Sequence, residues 1–488
     1  MMKPGNPIWI VLLLLGSLNA GIAQTPGDTL FRLPDTARVL TIENFYELVT
    51  RYHPVAQQAN LLTDVARQEI RLARGNFDPK AEISYLTKNF SGQEYYSVFN
   101  GSVTFNSVFP VDPKIGIEKN TGDYLNPERY ISDQFNYRQL YAGISLPLGR
   151  GLITDDRRAA LKQAELFRSL TEAEQVRLIN NLMLDAAYEY WSWFFSYYNF
   201  RLMNRGVFVA QEIFRRTKLN VELGENAPVD SIQAKITLQN RLIQTQEALL
   251  AFKNAGIRLS TFLWDSTGQP VSLDLRWVPV PENTALQLSA MELDELTEQA
   301  RVNHPDLRKL SITLLQLDVS RRLAAEYLKP RLDLNYYLLN QPFTPELNWN
   351  SPTGDDYKFG LDFSMPLFLR KERAKLSQVK LKINTTQYER NLAEREVINT
   401  IQTTNNALVA TAAIIRNQQN MVENYERLLQ AELLNFENGE SDLFKINIQL
   451  EYLLQAQTKW AKLLAEYEKQ KASLYWAAGV RKLGRPGL

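Results

Sequence analysis

Residues 53–85 read HPVAQQANLLTDVARQEIRLARGNFDPKAEISY, and a related stretch, HPDLRKLSITLLQLDVSRRLAAEYLKPRLDLNY, occupies residues 304–336. Both contain a His-Pro pair, a helix-like segment, a proline and an alternating strand, in the same order. The two stretches align without a gap, and 251 positions separate His53 from His304. A constant offset over this length indicates a duplicated structural unit, which organises the whole chain.

The N-terminus has the features of a secretory signal peptide. Lys3 is followed by an apolar core from Ile8 to Leu15, which is too short to span a membrane as a helix. Small residues then lead to Ala23, after which we expect cleavage. We therefore assign residues 1–23 to a signal peptide and residues 24–39 to an N-terminal extension. The chain has no cysteine, so neither a lipid-modified cysteine nor a disulfide is expected.

Composition argues against several classes of function. Lys and Arg number 55 and Asp and Glu 54, so the chain lacks the basic excess of a protein that binds nucleic acid. Two histidines and no cysteine are too few for a transition-metal site. No nucleophile motif or phosphate-binding glycine loop occurs. We predict that the protein is not an enzyme and has no metal, no cofactor and no nucleic-acid partner.

Two very long helices are predicted. Residues 154–220 contain no proline and only one glycine, and residues 371–436 contain neither. Their composition favours helices of about 100 Å, which need partners along their length and therefore indicate coiled-coil-like packing. Each is followed by a glycine-containing break, LGENAP at 223–228 and NGESD at 438–442, where one helix ends and the next begins. Returning helices are expected at about 229–263 and 443–478, the second with a heptad seam.

Four strands are predicted between the helices, at about 80–89, 139–148, 332–338 and 359–365. Apolar and polar residues alternate in them over about ten residues, which is typical of transmembrane barrel strands, although a soluble sheet with one wet face has the same pattern. Four strands cannot close a barrel, so a membrane barrel would need several copies. Aromatic residues near strand ends, Tyr130, Tyr141 and Tyr357 among them, would form its girdles. The polar segments 112–128 and 341–356 indicate external loops, although residues 114–119 alternate enough to be an inserted strand.

The most apolar part of the first long helix is YEYWSWFFSYY, residues 188–198. Aromatic residues on all sides of a helix usually mean burial on several sides. We expect packing where a mid-periplasmic belt of the protein wraps the long helices, and the alternative is contact with an adaptor protein.

This arrangement resembles the TolC family of outer-membrane efflux proteins, in the version found in Bacteroidetes-type bacteria. The resemblance covers about residues 40–480 and depends on the order of its motifs, on the duplication and on the helix lengths. The segments that carry it are Leu40-Thr41-Ile42-Glu43, His53-Pro54, residues 73–79, residues 146–151, Met365-Pro366-Leu367 and residues 436–444.

The resemblance implies an α+β membrane protein with long coiled-coil helices and four antiparallel strands per chain. A homotrimer would form a 12-stranded outer-membrane β-barrel, in contact with outer-membrane lipid, that continues into a periplasmic α-helical barrel. With a periplasmic adaptor (membrane fusion protein) and an inner-membrane pump, it would be the exit duct of a tripartite efflux or type I secretion system in a Gram-negative bacterium. It would passively conduct small molecules or proteins. The alternative is a soluble periplasmic coiled-coil scaffold or adaptor.

The domain prediction is based on the duplication. The first repeat covers 40–265 and the second 291–479, with a linker in the equatorial region at 266–290 and a tail at 480–488. The β-hairpins are expected at about 80–148 and 331–369, and the long helical hairpins at about 152–264 and 371–478.

In the family, the helix tips close the periplasmic mouth. The resemblance places the tips at Gly224 and Gly439, and the candidate aperture residues are Gly224, Pro228, Asp230, Glu437, Gly439, Glu440, Asp442 and Lys445. Some family members have paired aspartates six and nine residues after the second glycine, where this chain has Lys445 and Ile448. Pore selectivity therefore does not transfer. His53-Pro54 and His304-Pro305 are interpreted as structural markers of helix starts.

Overall fold

The computed structural model describes residues 37–133, 136–280, 290–340 and 356–480. The predicted signal peptide lies outside the described residues, as do most of the N-terminal extension, most of the tail and the expected external loop at 341–355.

The described residues form eight α-helices and eight strands. The helices are α1 Ile42–Tyr52, α2 Pro54–Gly75, α3 Asp156–Glu222, α4 Pro228–Ser260, α5 Ala290–Asn303, α6 Pro305–Glu326, α7 Arg370–Glu437 and α8 Leu443–Ala477. The strands are β1 Arg38–Leu40, β2 Lys80–Phe90, β3 Gln93–Thr104, β4 Asp112–Thr121, β5 Arg138–Pro147, β6 Trp277–Pro279, β7 Arg331–Asn340 and β8 Tyr357–Ser364.

The predicted long helices are confirmed. Helix α3 has 67 residues and α7 has 68, so each is about 100 Å long. The returning helices α4 and α8 begin and end within three residues of the prediction. Among the described residues, no helix has both the length and the apolar character needed to cross a membrane.

The chain divides into two compact units, and each contains segments from both predicted repeats. Unit 1 comprises the residues up to Gln57, Leu178–Ala300 and the residues from Val397 onward. Unit 2 comprises Gln58–Arg177 and Arg301–Glu396. The repeat boundaries therefore stay a prediction about the duplication in the sequence.

Unit 1 has an aromatic core on helix α3. Tyr190, Trp193, Phe194 and Tyr198 are almost fully buried. The Tyr190 hydroxyl donates a hydrogen bond of 2.8 Å to the backbone carbonyl of Leu40, at the end of β1. Most of the aromatic side chains in residues 188–198 are therefore packed inside unit 1, whereas Tyr188 is 42% exposed, and contact with an adaptor stays untested. Strand β1 pairs in parallel with β6 in the same unit.

The predicted seam of helix α8 is also buried in unit 1. Ile446, Leu450, Trp460 and Leu474 lie at its heptad positions and are each less than a tenth exposed. Gln457, one of the two polar residues in the seam, donates a hydrogen bond of 2.8 Å to Glu426 of α7. The heptad pattern therefore identified the packed face correctly.

Unit 2 contains a curled antiparallel sheet of six strands in the order β2-β3-β4-β5-β7-β8. The prediction of four strands per chain was wrong, because residues 93–121 form the additional hairpin β3–β4 between β2 and β5. The alternating residues 114–119 are indeed in a strand, so the external loop predicted at 112–128 begins only after Thr121.

The inserted hairpin is tightly packed against β5. Gly116 of β4 lies opposite Tyr141 of β5 in the register, and the Tyr141 ring covers the glycine. A Cβ atom at position 116 would overlap that ring. A glycine covered by a cross-strand aromatic ring is a close-packed position in a sheet, so β4 is an integral strand.

Candidate functional site: an amphipathic sheet and two helical turns

One face of the sheet in unit 2 is predominantly apolar. The register of the strands brings large apolar side chains to this face from all six strands. They are Ile83, Tyr85, Phe99, Val103, Ile115, Ile117, Leu140, Ile144, Leu146, Leu334, Tyr336, Leu338, Phe359, Leu361 and Phe363. Many are exposed: Ile83 retains 77% of its accessible surface and Phe363 67%. A contiguous apolar surface of this kind marks contact with lipid or another protein.

The opposite face is predominantly polar. It carries Glu82, Ser84, Asn100, Ser102, Lys114, Glu118, Gln139, Ser145, Asp333, Asn335, Lys358 and Asp362. Ser102 and Asn120 on this face are buried. Other polar residues of this face, such as Glu82, Ser84 and Lys358, are exposed. A sheet in a water-soluble protein buries its apolar face, whereas an exposed apolar face opposite a polar face is the arrangement of a wall with lipid outside and water inside.

A hydrogen-bonded network joins three strands on the polar face. The Tyr141 hydroxyl of β5 donates to Asn100 Oδ1 of β3 at 3.0 Å, and Asn100 Nδ2 donates to Glu118 Oε1 of β4 at 3.1 Å. Lys358 Nζ of β8 lies 3.7 Å from the same carboxylate. The expectation that Tyr141 belongs to an outward aromatic girdle was wrong, because its side chain lies on the polar face and is only 7% exposed.

Sequence reasoning missed this network together with the hairpin that carries two of its members. The signal was the alternation of Phe99, Gly101 and Val103 with Asn100 and Ser102, which continues the amphipathic pattern of the recognised strands.

The first candidate tip is the turn between α3 and α4. Gly224 has φ +78°, and its N–H donates to Val221 O at 3.1 Å, while the N–H of Glu225 donates to Asn220 O at 2.9 Å. This pair of bonds is the Schellman motif, in which glycine adopts the left-handed conformation without strain. Pro228 is the first residue of α4, and Asp230 lies in its first turn.

The second candidate tip, between α7 and α8, repeats this geometry. Helix α7 ends at Glu437, and Gly439 has φ +77°. The N–H of Gly439 donates to Phe436 O at 3.1 Å, and that of Glu440 donates to Asn435 O at 2.8 Å. The carboxylate of Asp442 caps α8 by accepting the N–H of Lys445 at 2.9 Å. Both turns are exposed and end their helices in the same way; their role as an aperture stays a prediction.

The two histidines lie where helices meet. His304 caps α6, its Nδ1 accepting the N–H of Asp306 at 3.3 Å just before Pro305. His53 lies between α1 and Pro54, and its Nδ1 accepts the N–H of Val55 at 3.2 Å. Burial lowers the pKa of both imidazoles, which favours the neutral form that can accept these bonds. Within the described ranges no cluster of three or more His, Cys, Asp or Glu residues could hold a metal ion.

An ion cluster joins α3 to α6 in unit 2. Glu174 contacts Arg177 at 2.5 Å and Lys309 at 2.6 Å. The hydrogen bond from Arg177 is the largest cause that lowers the Glu174 pKa to about 2, and Lys309 adds to it. Because the folded-state pKa lies below the unfolded value, this contribution to stability is present above pH 4.5 and is lost as the pH falls toward 2.

We therefore expect Glu174→Gln to lower the free energy of unfolding by about 1 kcal/mol near neutral pH, since the side chain is partly exposed. The loss should shrink to nothing as the pH is lowered toward 2, which denaturant titrations of the purified protein would measure. Glu172→Gln is the control, because the ion pair of Glu172 in the described part of the chain is with the exposed Arg168. A loss that is equal at all pH values would contradict the assignment.

Comparison with known proteins supports the resemblance. Residues 296–480 match the family model for outer membrane efflux proteins. No curated protein is similar enough to the sequence to match. The match confirms the predicted resemblance to this family, whose members are transporters, and with it the prediction that the chain is not an enzyme.

Solved structures show the same fold. The chain is similar to the CmeC outer membrane channel of Campylobacter jejuni, with TM-score 0.60, 14% identity and coverage of 90% of this chain and 85% of that one. For the outer membrane protein VceC of Vibrio cholerae, the TM-score is 0.62 and the identity 15%, with coverage of 90% of this chain and 96% of that one. For the open state of the Neisseria gonorrhoeae MtrE outer membrane channel, the TM-score is 0.62 and the identity 13%, with coverage of 90% of this chain and 88% of that one. At these identities the likeness establishes the fold.

Proposed function

We propose that this chain, whose residues 296–480 match the family model for outer membrane efflux proteins, is the outer-membrane exit duct of a tripartite efflux or type I secretion system. It would passively conduct small molecules or proteins delivered by an inner-membrane pump through a periplasmic adaptor.

The observation that carries the proposal is the exposed apolar face of the sheet in unit 2, opposite a polar and hydrogen-bonded face. Exposed Ile83, Leu361 and Phe363 on one face need a lipid environment, while the hydrogen-bonded Tyr141 and Glu118 on the other are suited to a water-filled interior. The fold shared with solved outer membrane channels supports the same conclusion.

The assembly we propose is a homotrimer in the outer membrane of a Gram-negative bacterium, with its long helices extending into the periplasm. The turns at Gly224 and Gly439 would form the periplasmic mouth, where the adaptor docks. Near the second turn, the acidic Glu440 and Asp442 lie beside the basic Lys445, so the mouth would carry charges of both signs.

The alternative, a soluble periplasmic scaffold or adaptor, is disfavoured by the same sheet. If this structure were a scaffold in water, Ile83 and its neighbours on the apolar face would be hydrated, at a cost of about 25 cal/mol per Å² of apolar surface. Such a protein would cover this face with its own helices. In the described residues of the chain, Ile83, Tyr85 and Phe363 instead remain more than 60% exposed.

The test has two parts. Cell fractionation should find the mature protein in the outer membrane as a detergent-requiring trimer, and trimers inserted into a planar lipid bilayer should give discrete steps of K⁺ and Cl⁻ conductance. Recovery in the soluble periplasmic fraction would favour the scaffold. Inserted trimers without conductance would contradict the duct.

A further inference from the structure

The sheet of unit 2 is open at both edges. Within the described residues, β2 and β8 each have one hydrogen-bonded neighbour, β3 and β7 respectively. All five strand pairs are antiparallel, so six strands alternate in direction and β2 runs opposite to β8. The outer edge of β8 is therefore suited to antiparallel pairing with the outer edge of β2 in another copy.

Both edges also carry the apolar face. Ile83 and Tyr85 project from β2, and Phe359, Leu361 and Phe363 from β8, each more than half exposed. Lipid cannot hydrogen-bond the backbone, so a membrane sheet must have no open edge. The six strands of the described residues are fewer than the roughly eight that close a small barrel, so this sheet does not form a closed barrel by itself.

We propose that β2 of one copy pairs with β8 of the next, and that three copies, each with six strands in the wall, close an 18-stranded barrel rather than a 12-stranded one. This rests on the proposed function, which takes three copies in the outer membrane. The contact is head-to-tail, and an even number of alternating strands per copy lets it repeat around a closed ring.

The hairpin β3–β4 is part of this wall. Strand β4 has eight register pairs with β3 and eight with β5, and neither ladder contains a bulge. Phe99, Val103, Ile115 and Ile117 lie on the same apolar face as the other strands. On the polar side, the Tyr141–Asn100–Glu118 network joins β5, β3 and β4. A hairpin that formed a plug or an external loop would not need to align its apolar and polar residues with those of the neighbouring wall strands.

The consequence is a wider pore. Barrel diameter grows roughly in proportion to strand number, so 18 strands give about one and a half times the diameter of 12. Barrels of 16–18 strands leave an aqueous channel through their interior.

Cysteine cross-linking tests the edge pairing, because the chain has no cysteine of its own. Tyr85→Cys would be combined in turn with Phe359→Cys, Leu361→Cys and Phe363→Cys, which spans the possible registers. After oxidation of outer-membrane fractions, at least one combination should yield covalent dimers and trimers on denaturing gels, and the single variants should not. Phe99→Cys in the interior strand β3, combined with the same three, is the matched control and should yield none.

A second set of pairs separates the six-strand wall from a four-strand wall. Tyr85 and Phe99 lie opposite each other in β2 and β3, so their cysteines should link within one chain. If β3–β4 lay outside the wall, β2 would instead adjoin β5. Tyr85→Cys is therefore also combined in turn with Leu140→Cys, Ala142→Cys and Ile144→Cys, which lie on the apolar face of β5, and a four-strand wall would give a link in one of these pairs. Links from β2 to β5, or none from β2 to β8 in correctly assembled trimers, would overturn the inference.

The cross-links and the conductance report different failures. Trimers that show the β2–β8 and Tyr85–Phe99 links but pass no ions would contradict the proposed duct and support the 18-stranded barrel. Conducting trimers in which Tyr85→Cys links to a cysteine in β5 would contradict the 18-stranded barrel and support the duct.

Discussion

Lysine in place of Ile83 is expected to keep most of the protein out of the outer membrane. Ile83 lies on the apolar face of β2 and is 77% exposed, so in the proposed assembly its side chain contacts lipid. A lysine on the lipid face costs about 2–4 kcal/mol near the bilayer midplane and less toward the surface. At about 2 kcal/mol per chain, insertion would fall about 30-fold for each copy.

Ser84→Lys is the matched control, because Ser84 is the next residue of the same strand and lies on the polar face. It is exposed as well, so both substitutions add one charge to the same strand and differ only in the face. The trimer content of outer-membrane fractions should collapse for Ile83→Lys and change little for Ser84→Lys. Equal losses would mean that the apolar face does not contact lipid.

Alanine in place of Trp193 is expected to give the largest loss of stability in unit 1. The indole is 1% exposed, stacks on Phe252 of α4 with ring centroids 6.4 Å apart, and meets Tyr190 edge-on at 5.8 Å. Removing a buried tryptophan costs about 3–5 kcal/mol, because the transfer energy is lost and a cavity remains.

Phe208→Ala provides the comparison on the same helix, since Phe208 is 73% exposed. Its change in the free energy of unfolding should be within about 0.5 kcal/mol. Thermal unfolding followed by far-ultraviolet circular dichroism of the detergent-solubilised protein measures both. If Trp193→Ala unfolded at the wild-type temperature, the aromatic residues of α3 would not be a structural core.

The helices were predictable because interactions between residues close in sequence determine them. The absence of proline over residues 154–220, and of glycine and proline over residues 371–436, leaves helix as the favoured state, and Gly224 and Gly439 end the helices through bonds to their own last turn. The heptad seam of α8 likewise required only the spacing of Ile446, Leu450 and Leu453.

The number of strands was not predictable in the same way, because contacts between residues far apart in sequence determine it. Gly101 and Gly116 suggest a loop when residues 93–121 are considered alone, since glycine is unfavourable inside strands. In the sheet, the ring of Tyr141, 25 positions after Gly116, covers that glycine and supplies the packing that β4 lacks. The helical turns were placed correctly as turns, but whether they form an aperture depends on other copies of the chain.

The open edges of β2 and β8 also bear on biogenesis. In the proposed assembly, a newly exported subunit would present two unpaired strand edges and an apolar surface to the aqueous compartment that it crosses, and such surfaces promote aggregation. Assembly would then require either a periplasmic chaperone or association that is faster than misassembly. Overproduction of the chain without insertion machinery should therefore yield insoluble deposits.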